Sequence, residues 1–140
     1  MTTIQEKIEK SMERAKEIAN NAGYEEGLKC LKIQIEISAK LRSTWALTSP
    51  ISREEGEYKI VFSKTKSKLS SKTTLLSTAL HELAHVIVMD QGYTGGHGTP
   101  WKNVYKSFRP YAHIAKKHFE SIYATYDKPT YRKLVSKRQF

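Results

Sequence analysis

Three residues near the middle of the chain have the types and the spacing of a metal-dependent hydrolase. His81, Glu82 and His85 form the pattern His-Glu-x-x-His. Residues four apart lie above one another on one face of a helix, so both imidazoles could bind one metal ion. Glu82 lies about 100° around the helix from His81, close enough to contact a water on that ion without being a ligand itself. The pattern predicts the geometry of a zinc hydrolase.

A catalytic zinc site usually has three protein ligands and an open fourth position, so a third ligand must come from elsewhere in the chain. His97 is one candidate, because the glycines around it permit a turn that could bring its imidazole back over the helix. Glu120 is the rival, since thermolysin-like enzymes use a glutamate as their third ligand. The metzincin pattern is absent, because Val88 and Gln91 occupy the positions of its glycine and third histidine.

The segment that carries the pattern is apolar over much of a helix circumference. Its apolar residues are Leu75, Leu76, Ala79, Leu80, Leu83, Ala84, Ile87 and Val88. This distribution predicts a mostly buried helix from Thr73 to about Asp90. Histidines on such a helix would be costly buried polar groups unless something satisfies them, and a metal ion would do so.

The first half of the chain is predicted to form one helix and a small sheet. Thr3 and Glu6 make a capping box ahead of an amphipathic helix that stops at Gly23. Alternation of apolar and polar residues with a period of two predicts three strands, Leu31 to Ile37, Trp45 to Leu47 and Tyr58 to Phe62. Pro50 is expected to end the second strand. Their tight connections predict an antiparallel or mixed sheet, and the serine- and lysine-rich stretch 63–72 is expected to be a loop.

Further helices are predicted after the buried one. Thr99 as N-cap and Pro100 in the first turn open a helix that Pro110 interrupts, and a last amphipathic helix runs from Ile114 to Tyr123. The predicted fold class is therefore α+β: an N-terminal helix, a small three-stranded sheet, a buried active-site helix and C-terminal helices.

The formal charge of +10 is concentrated in the last part of the chain. Residues 101–140 contain 10 lysines and arginines against 2 acidic residues, whereas residues 1–100 contain 14 against 12. Cations neutralise phosphates and tyrosine rings stack on bases, so residues 109–140 are predicted to bind DNA, preferably single-stranded, weakly, independently of base sequence and in a salt-sensitive way; a merely solvated surface is the alternative. The basic candidates are Arg109, Lys116, Lys117, Lys128, Arg132, Lys133, Lys137 and Arg138. By size we expect one domain, residues 1–126, and a basic tail, residues 127–140.

The cysteine content and the hydropathy pattern indicate a compartment. Cys30 is the only cysteine, which excludes an intramolecular disulfide framework and fits a reducing environment. The first residues are charged, and no apolar run approaches the length needed to span a membrane. We expect an intracellular protein without a membrane partner, either cytoplasmic or, if it is directed to DNA, associated with the nucleus or nucleoid.

Two segments together resemble the SprT-like, or Spartan, family of metalloproteases. They are Thr78-Ala-Leu-His-Glu-Leu-Ala-His85 and Gly96-His-Gly-Thr-Pro-Trp-Lys102, and the resemblance extends over roughly residues 1–110. It implies that His81, His85 and His97 bind zinc and that Glu82 is the catalytic base. It also implies activity on proteins crosslinked to DNA, although these 140 residues hold no cysteine-based zinc module of the kind that follows in many members.

The resulting functional hypothesis is a zinc metalloendopeptidase that hydrolyses peptide bonds with a zinc-activated water and acts on DNA-bound proteins. The alternative is a zinc-stabilised nucleic-acid-binding module without protease activity. Glu82 favours the enzyme, because a purely structural zinc site has no use for a carboxylate beside its ligand. The residue that stabilises the oxyanion is left open among Tyr93, Tyr105, Tyr111 and His113.

Overall fold

The computed structural model of the chain describes residues 3–93, 96–119 and 121. Helices pack on one face of a mixed sheet within this part of the chain. In chain order the elements are α1 (Ile4–Ala19), a π-helical turn (Asn20–Tyr24), α2 (Glu25–Lys29), β1 (Lys32–Ser38), β2 (Ala46–Ser52), β3 (Glu57–Ser63), α3 (Lys64–Leu69), α4 (Lys72–Asp90), α5 (Thr99–Ser107) and α6 (Arg109–Ala112). The predicted α+β class with a three-stranded sheet is confirmed.

The sheet has the order β1-β3-β2, with β3 in the centre. β1 runs parallel to β3, and β2 runs antiparallel to it. Tyr58, Ile60 and Phe62 alternate along β3 and are all fully buried, so the central strand provides the apolar face on which the helices pack. The Tyr58 hydroxyl donates to a carboxylate oxygen of Asp90 at 3.0 Å, which ties β3 to the C-terminal end of α4.

Helix α4 lies at the centre of the protein. Nearly all of its side chains from Leu75 to Met89 are buried. The apolar stripe of α1 packs against it through Ile8, Met12 and Ala15, and the sheet covers another side. A helix enclosed in this way has little freedom to move, which suits it to hold functional side chains in a fixed geometry.

β2 is longer than predicted, because it continues through Pro50 to Ser52. The expectation that Pro50 ends the strand was wrong. Pro50 pairs with Tyr58 of β3, and a register shift follows between Pro50 and Ser52. Among the described residues β2 pairs with β3 alone, and an edge strand tolerates a residue that lacks an N–H group.

The stretch 63–72 contains helix α3 and is not simply the predicted loop. The Ser63 hydroxyl caps α3 by accepting from the Lys66 N–H at 3.1 Å, and Ser71 caps α4 through the Thr74 N–H at the same distance. At the other end of α3, the ammonium group of Lys7 on α1 donates to the carbonyl oxygens of Ser67 and Ser70. The Ser63 cap and a contact with a distant helix therefore stabilise this short helix.

Three helix boundaries also differ from the prediction. α1 ends at Ala19, and the chain passes through the π-helical turn, where Gly23 has a φ of 106°, into the unpredicted helix α2. Gly98, and not Thr99, is the N-cap of α5. Pro110 lies in the first turn of α6, where its missing N–H costs no helical hydrogen bond. Of the last predicted helix, residues 116–119 are helical, and residues 122 and 123 lie outside the described residues.

No helix among residues 3–93, 96–119 and 121 is long and apolar enough to cross a membrane.

Candidate metal centre

Three histidines converge at one point beside α4, and we call His81, His85 and His97 the histidine cluster. Their Nε2 atoms are separated by 3.2 Å between His81 and His85, and by 3.0 Å in each of the other two pairs. A tetrahedral zinc ion with Zn–N bonds of 2.0 to 2.1 Å requires its nitrogens to be about 3.3 Å apart. The histidine cluster therefore has nearly the size of a zinc shell with three ligands and one open position.

Hydrogen bonding among the three nitrogens cannot account for this arrangement. A ring nitrogen of a neutral imidazole either donates or accepts, so three mutually contacting nitrogens can form at most two proper hydrogen bonds. All three residues are buried, with at most 7% of their surface exposed, so water does not surround them. A cation bonded to all three Nε2 atoms resolves the conflict. The histidine cluster could thus hold a metal ion.

The protonation state of the cluster suits metal binding. Burial, together with the charge of the neighbouring His97, lowers the pKa of His85 to about 3. Burial, then His85 and then His97, hold the pKa of His81 well below its ordinary value. Both imidazoles are therefore neutral at physiological pH, and neutral imidazole is the form that binds metal ions.

The glycine-rich segment after α4 returns His97 to the helix that carries the other two histidines. Gly92 and Gly96 adopt φ values of 97° and 133°, in the region that residues with a Cβ rarely occupy. Gly98 then caps α5. This is the turn expected for the His97 alternative, and it brings His97 into the cluster. Glu120, the rival ligand, lies outside the described residues.

Trp101 forms the floor beneath the histidine cluster. Its indole N–H donates to the carbonyl oxygen of His81 at 3.2 Å, and its ring is stacked near His85 with centroids 5.5 Å apart. Its centroid lies 4.6 Å from those of both His81 and His97. Tyr105 stacks beneath it at 5.0 Å. Sequence analysis included Trp101 in the segment Gly96–Lys102 that carries the family resemblance, but gave it no role at the site; its position four residues after His97, on the first turn of α5, was the available signal.

Glu82 lies beside the cluster without belonging to it. Its Oε2 atom is 3.7 Å from the Nε2 atom of His81, and only 2% of the residue is exposed. Its Oε1 atom accepts a hydrogen bond from the Thr48 hydroxyl at 2.8 Å. Burial raises the pKa of Glu82 to about 8, and the hydrogen bond from Thr48 opposes that rise. A metal cation in the cluster would favour the ionised carboxylate further.

Thr48 is a site residue that sequence reasoning missed. It lies on β2, 34 residues before Glu82, and no local pattern marks it. The side chains of β2 alternate in burial at this point: Ala46 is buried, Leu47 is half exposed, and Thr48 is again less exposed and faces α4. Only the folded sheet brings its hydroxyl to the carboxylate.

The four candidates for the oxyanion donor lie in different environments. The ring of Tyr105 lies 6.2 Å from that of His81, and its hydroxyl donates to the carbonyl oxygen of Phe119 at 3.2 Å. Tyr93 and Tyr111 are largely exposed. His113 is exposed at the C-terminal end of α6, in a left-handed backbone conformation.

The basic residues proposed to contact DNA are only partly within the described chain. Arg109, Lys116 and Lys117 are exposed. The remaining five, Lys128, Arg132, Lys133, Lys137 and Arg138, lie outside the described residues.

Comparison with known proteins adds one finding. The model of the SprT-like family matches residues 9–118, a span that contains Thr48, Glu82 and the histidine cluster. No curated protein and no solved structure matches the chain. Membership of this family implies a metallopeptidase-type domain, which agrees with a buried group of three histidines that could bind a metal ion. Because the match covers most of its length, the chain belongs to the SprT-like family.

Proposed function

We propose that this protein is a zinc-dependent metalloendopeptidase. The observation that carries the proposal is the combination of three buried imidazoles, with Nε2 atoms 3.0 to 3.2 Å apart, and a buried carboxylate oxygen 3.7 Å from one of them. Three neutral nitrogen ligands with a non-ligating glutamate match the composition of a catalytic zinc site.

Each residue of the site has a separate role in this proposal. His81, His85 and His97 hold the ion from a rigid helix and a glycine turn. When bound, zinc lowers the pKa of water to about 7 and polarises the scissile carbonyl group. Glu82 takes a proton from the attacking water and returns it to the leaving amine nitrogen. The reaction is the hydrolysis of a peptide bond without a covalent intermediate on the protein.

The alternative is a zinc-stabilised nucleic-acid-binding module without protease activity. In such a module the burial of Glu82 would cost free energy and serve no function, because a carboxylate beside a structural metal shell adds no ligand to it. Titratable groups with strongly shifted pKa values in buried clusters are more typical of catalytic sites, which supports the enzyme.

Metal removal tests the proposal directly. The protein is analysed for zinc, and its cleavage of casein and of itself is followed before chelation, after chelation and after zinc is added back. We expect one zinc per chain, loss of cleavage on chelation and recovery with zinc. A protein that holds one zinc yet cleaves neither casein nor itself, with or without single-stranded DNA, would support the alternative module.

We further propose that the natural substrates are proteins bound or crosslinked to DNA. The support is the excess of positive charge in residues 101–140 and the exposure of Arg109, Lys116 and Lys117. Lysine and arginine side chains displace counterions from phosphates, so this contribution to binding is independent of base sequence and sensitive to salt.

Charge-matched variants separate a local binding surface from a general effect of net charge. The test variant carries glutamine at Arg109, Lys116 and Lys117, and the control carries glutamine at Lys64, Lys68 and Lys72. We expect the test variant to show a shallower dependence of single-stranded DNA affinity on salt, by a slope of about 2, and the control to resemble the wild type. Deleting residues 128–140 should flatten the dependence further and leave zinc content unchanged. If the test and control variants lose the same amount of affinity for single-stranded DNA, and the truncated protein loses none, the basic region is only a solvated surface.

A further inference from the structure

The two oxygens of the Glu82 carboxylate have different environments. Oε1 accepts from the Thr48 hydroxyl at 2.8 Å, on the side of strand β2. Oε2 lies on the side of the histidine cluster, 3.7 Å from the Nε2 atom of His81. The carboxylate is therefore anchored at one oxygen by a residue from another element, while the other oxygen is directed toward the place where a metal ion would bind.

Thr48 is itself held in place. Its backbone pairs with Ile60 of the central strand β3, and its hydroxyl also lies 3.4 Å from the backbone carbonyl oxygen of Glu82. A β-branched side chain has few χ1 rotamers, so the fixed strand leaves the hydroxyl little freedom. A glutamate has three side-chain torsions, and without such an anchor it would distribute its carboxylate over several orientations.

We infer that Thr48 is a positioning residue that assigns the two carboxylate oxygens their roles, with Oε2 as the atom that accepts the proton. The inference rests on the proposed peptidase function. During hydrolysis Oε2 takes one proton from the attacking water and passes it to the leaving nitrogen, while Thr48 keeps its own proton throughout. When Oε2 carries the proton, Oε1 becomes the carbonyl oxygen of the acid and still accepts from Thr48. The anchor therefore persists through both proton transfers.

The test compares substitutions that remove or retain the hydroxyl. Thr48→Val removes it at nearly constant shape, Thr48→Ala removes the methyl group as well, and Thr48→Ser retains it. Thr78→Val is the matched control, because it removes a threonine hydroxyl on α4 that donates to the carbonyl oxygen of Thr74 at 2.9 Å. Zinc content and melting temperature are measured for every variant.

We expect Thr48→Val and Thr48→Ala to lower kcat by about tenfold or more with KM within about twofold, since one charge-assisted hydrogen bond is lost and no substrate contact is removed. Thr48→Ser and Thr78→Val should keep kcat within about threefold of the wild type. A merely structural role for Thr48 would lower the melting temperature of Thr48→Val and leave kcat of the folded, zinc-loaded protein unchanged, and that result would overturn the inference.

A second readout does not depend on turnover. Acetohydroxamate binds zinc and offers a hydroxyl to the neighbouring glutamate, so its affinity for the zinc-loaded protein reports the position of Oε2. We expect Thr48→Val and Thr48→Ala to weaken this binding by about tenfold, and Thr48→Ser to restore it. If the zinc-loaded wild type cleaves no peptide, the proposed function fails, and the hydroxamate comparison still decides the role of Thr48. Equal affinities in wild type, Thr48→Ala and Thr48→Val would refute that role.

Discussion

Replacing Trp101 by phenylalanine should weaken both the fold and its affinity for zinc. The indole N–H of Trp101 donates to the carbonyl oxygen of His81, and the ring contacts all three imidazoles of the histidine cluster. The His81 carbonyl also lies within α4, where a backbone N–H can satisfy it, so the lost hydrogen bond should cost only about 1 kcal/mol. The smaller ring leaves space in a site where Trp101 is 1% exposed, which adds roughly 1 kcal/mol.

The expected total is a loss of about 2 kcal/mol in the free energy of unfolding of the metal-free protein. Phenylalanine can still stack on Tyr105, so this contact should largely survive. Zinc affinity should fall by about tenfold, because the imidazoles lose part of the surface that orients them.

Urea unfolding followed by far-UV circular dichroism measures the stability change without relying on tryptophan fluorescence, since the chain has 2 tryptophans and one is replaced. Competition with a chelator measures zinc affinity. Trp45→Phe is the matched control, because Trp45 is the second tryptophan, is half-buried, and has the Lys66 ammonium group 4.8 Å from its ring centroid. Trp45→Phe should lower the free energy of unfolding by at most about 1 kcal/mol and leave zinc affinity unchanged. If Trp101→Phe unfolds like the wild type and binds zinc equally well, the indole neither stabilises the fold nor orients the histidine cluster.

Three further predictions follow from other parts of the structure. His97→Ala should lower zinc affinity strongly, as judged by chelator competition, whereas Glu120→Ala should not; the reverse would make the site thermolysin-like. Gly56→Ala should destabilise the fold by about 1 to 2 kcal/mol in urea unfolding, because Gly56 has a φ of 69° and an added Cβ would lie 3.1 Å from a backbone oxygen; an unchanged midpoint would contradict this. Burial, and then Asp90, raise the pKa of Tyr58 to about 12. The Tyr58 hydroxyl therefore stabilises the fold fully below a pH of about 10, the pKa of tyrosine in the unfolded chain, and this stabilisation is lost as the pH rises toward 12. Tyr58→Phe should therefore be about 1 kcal/mol less stable at pH 7, and the difference should narrow above pH 10; a constant difference up to pH 12 would count against the pKa assignment.

The parts of the site that lie close together in sequence could be predicted, because local geometry determines them. The spacing of His81 and His85 on a helix places both imidazoles on one face, and the apolar residues around them predict the burial of α4. Gly92 and Gly96, which precede His97, have positive φ values of the kind that a returning turn requires. In each case the relevant physical constraint acts over a few residues.

Long-range contacts could not be predicted in the same way. Thr48 reaches Glu82 only because β2 is the edge strand beside α4, a consequence of the order in which the strands pair. α3 has Leu69 as its one large apolar residue, and that side chain is 80% exposed, so the helix has no apolar period to detect. It depends instead on the Ser63 cap and on Lys7, which is 60 residues away from its acceptor Ser67.

The peptidase activity of zinc-loaded Glu82→Gln, compared with that of the zinc-loaded wild type, tests the central claim most directly. The substitution leaves all three imidazoles in place and removes only the group proposed to accept the proton. We expect both proteins to hold one zinc per chain and the variant to cleave casein about 10³-fold more slowly or worse. A variant that retains zinc and cleaves casein within about tenfold of the wild-type rate would contradict the assignment of Glu82 as the catalytic base.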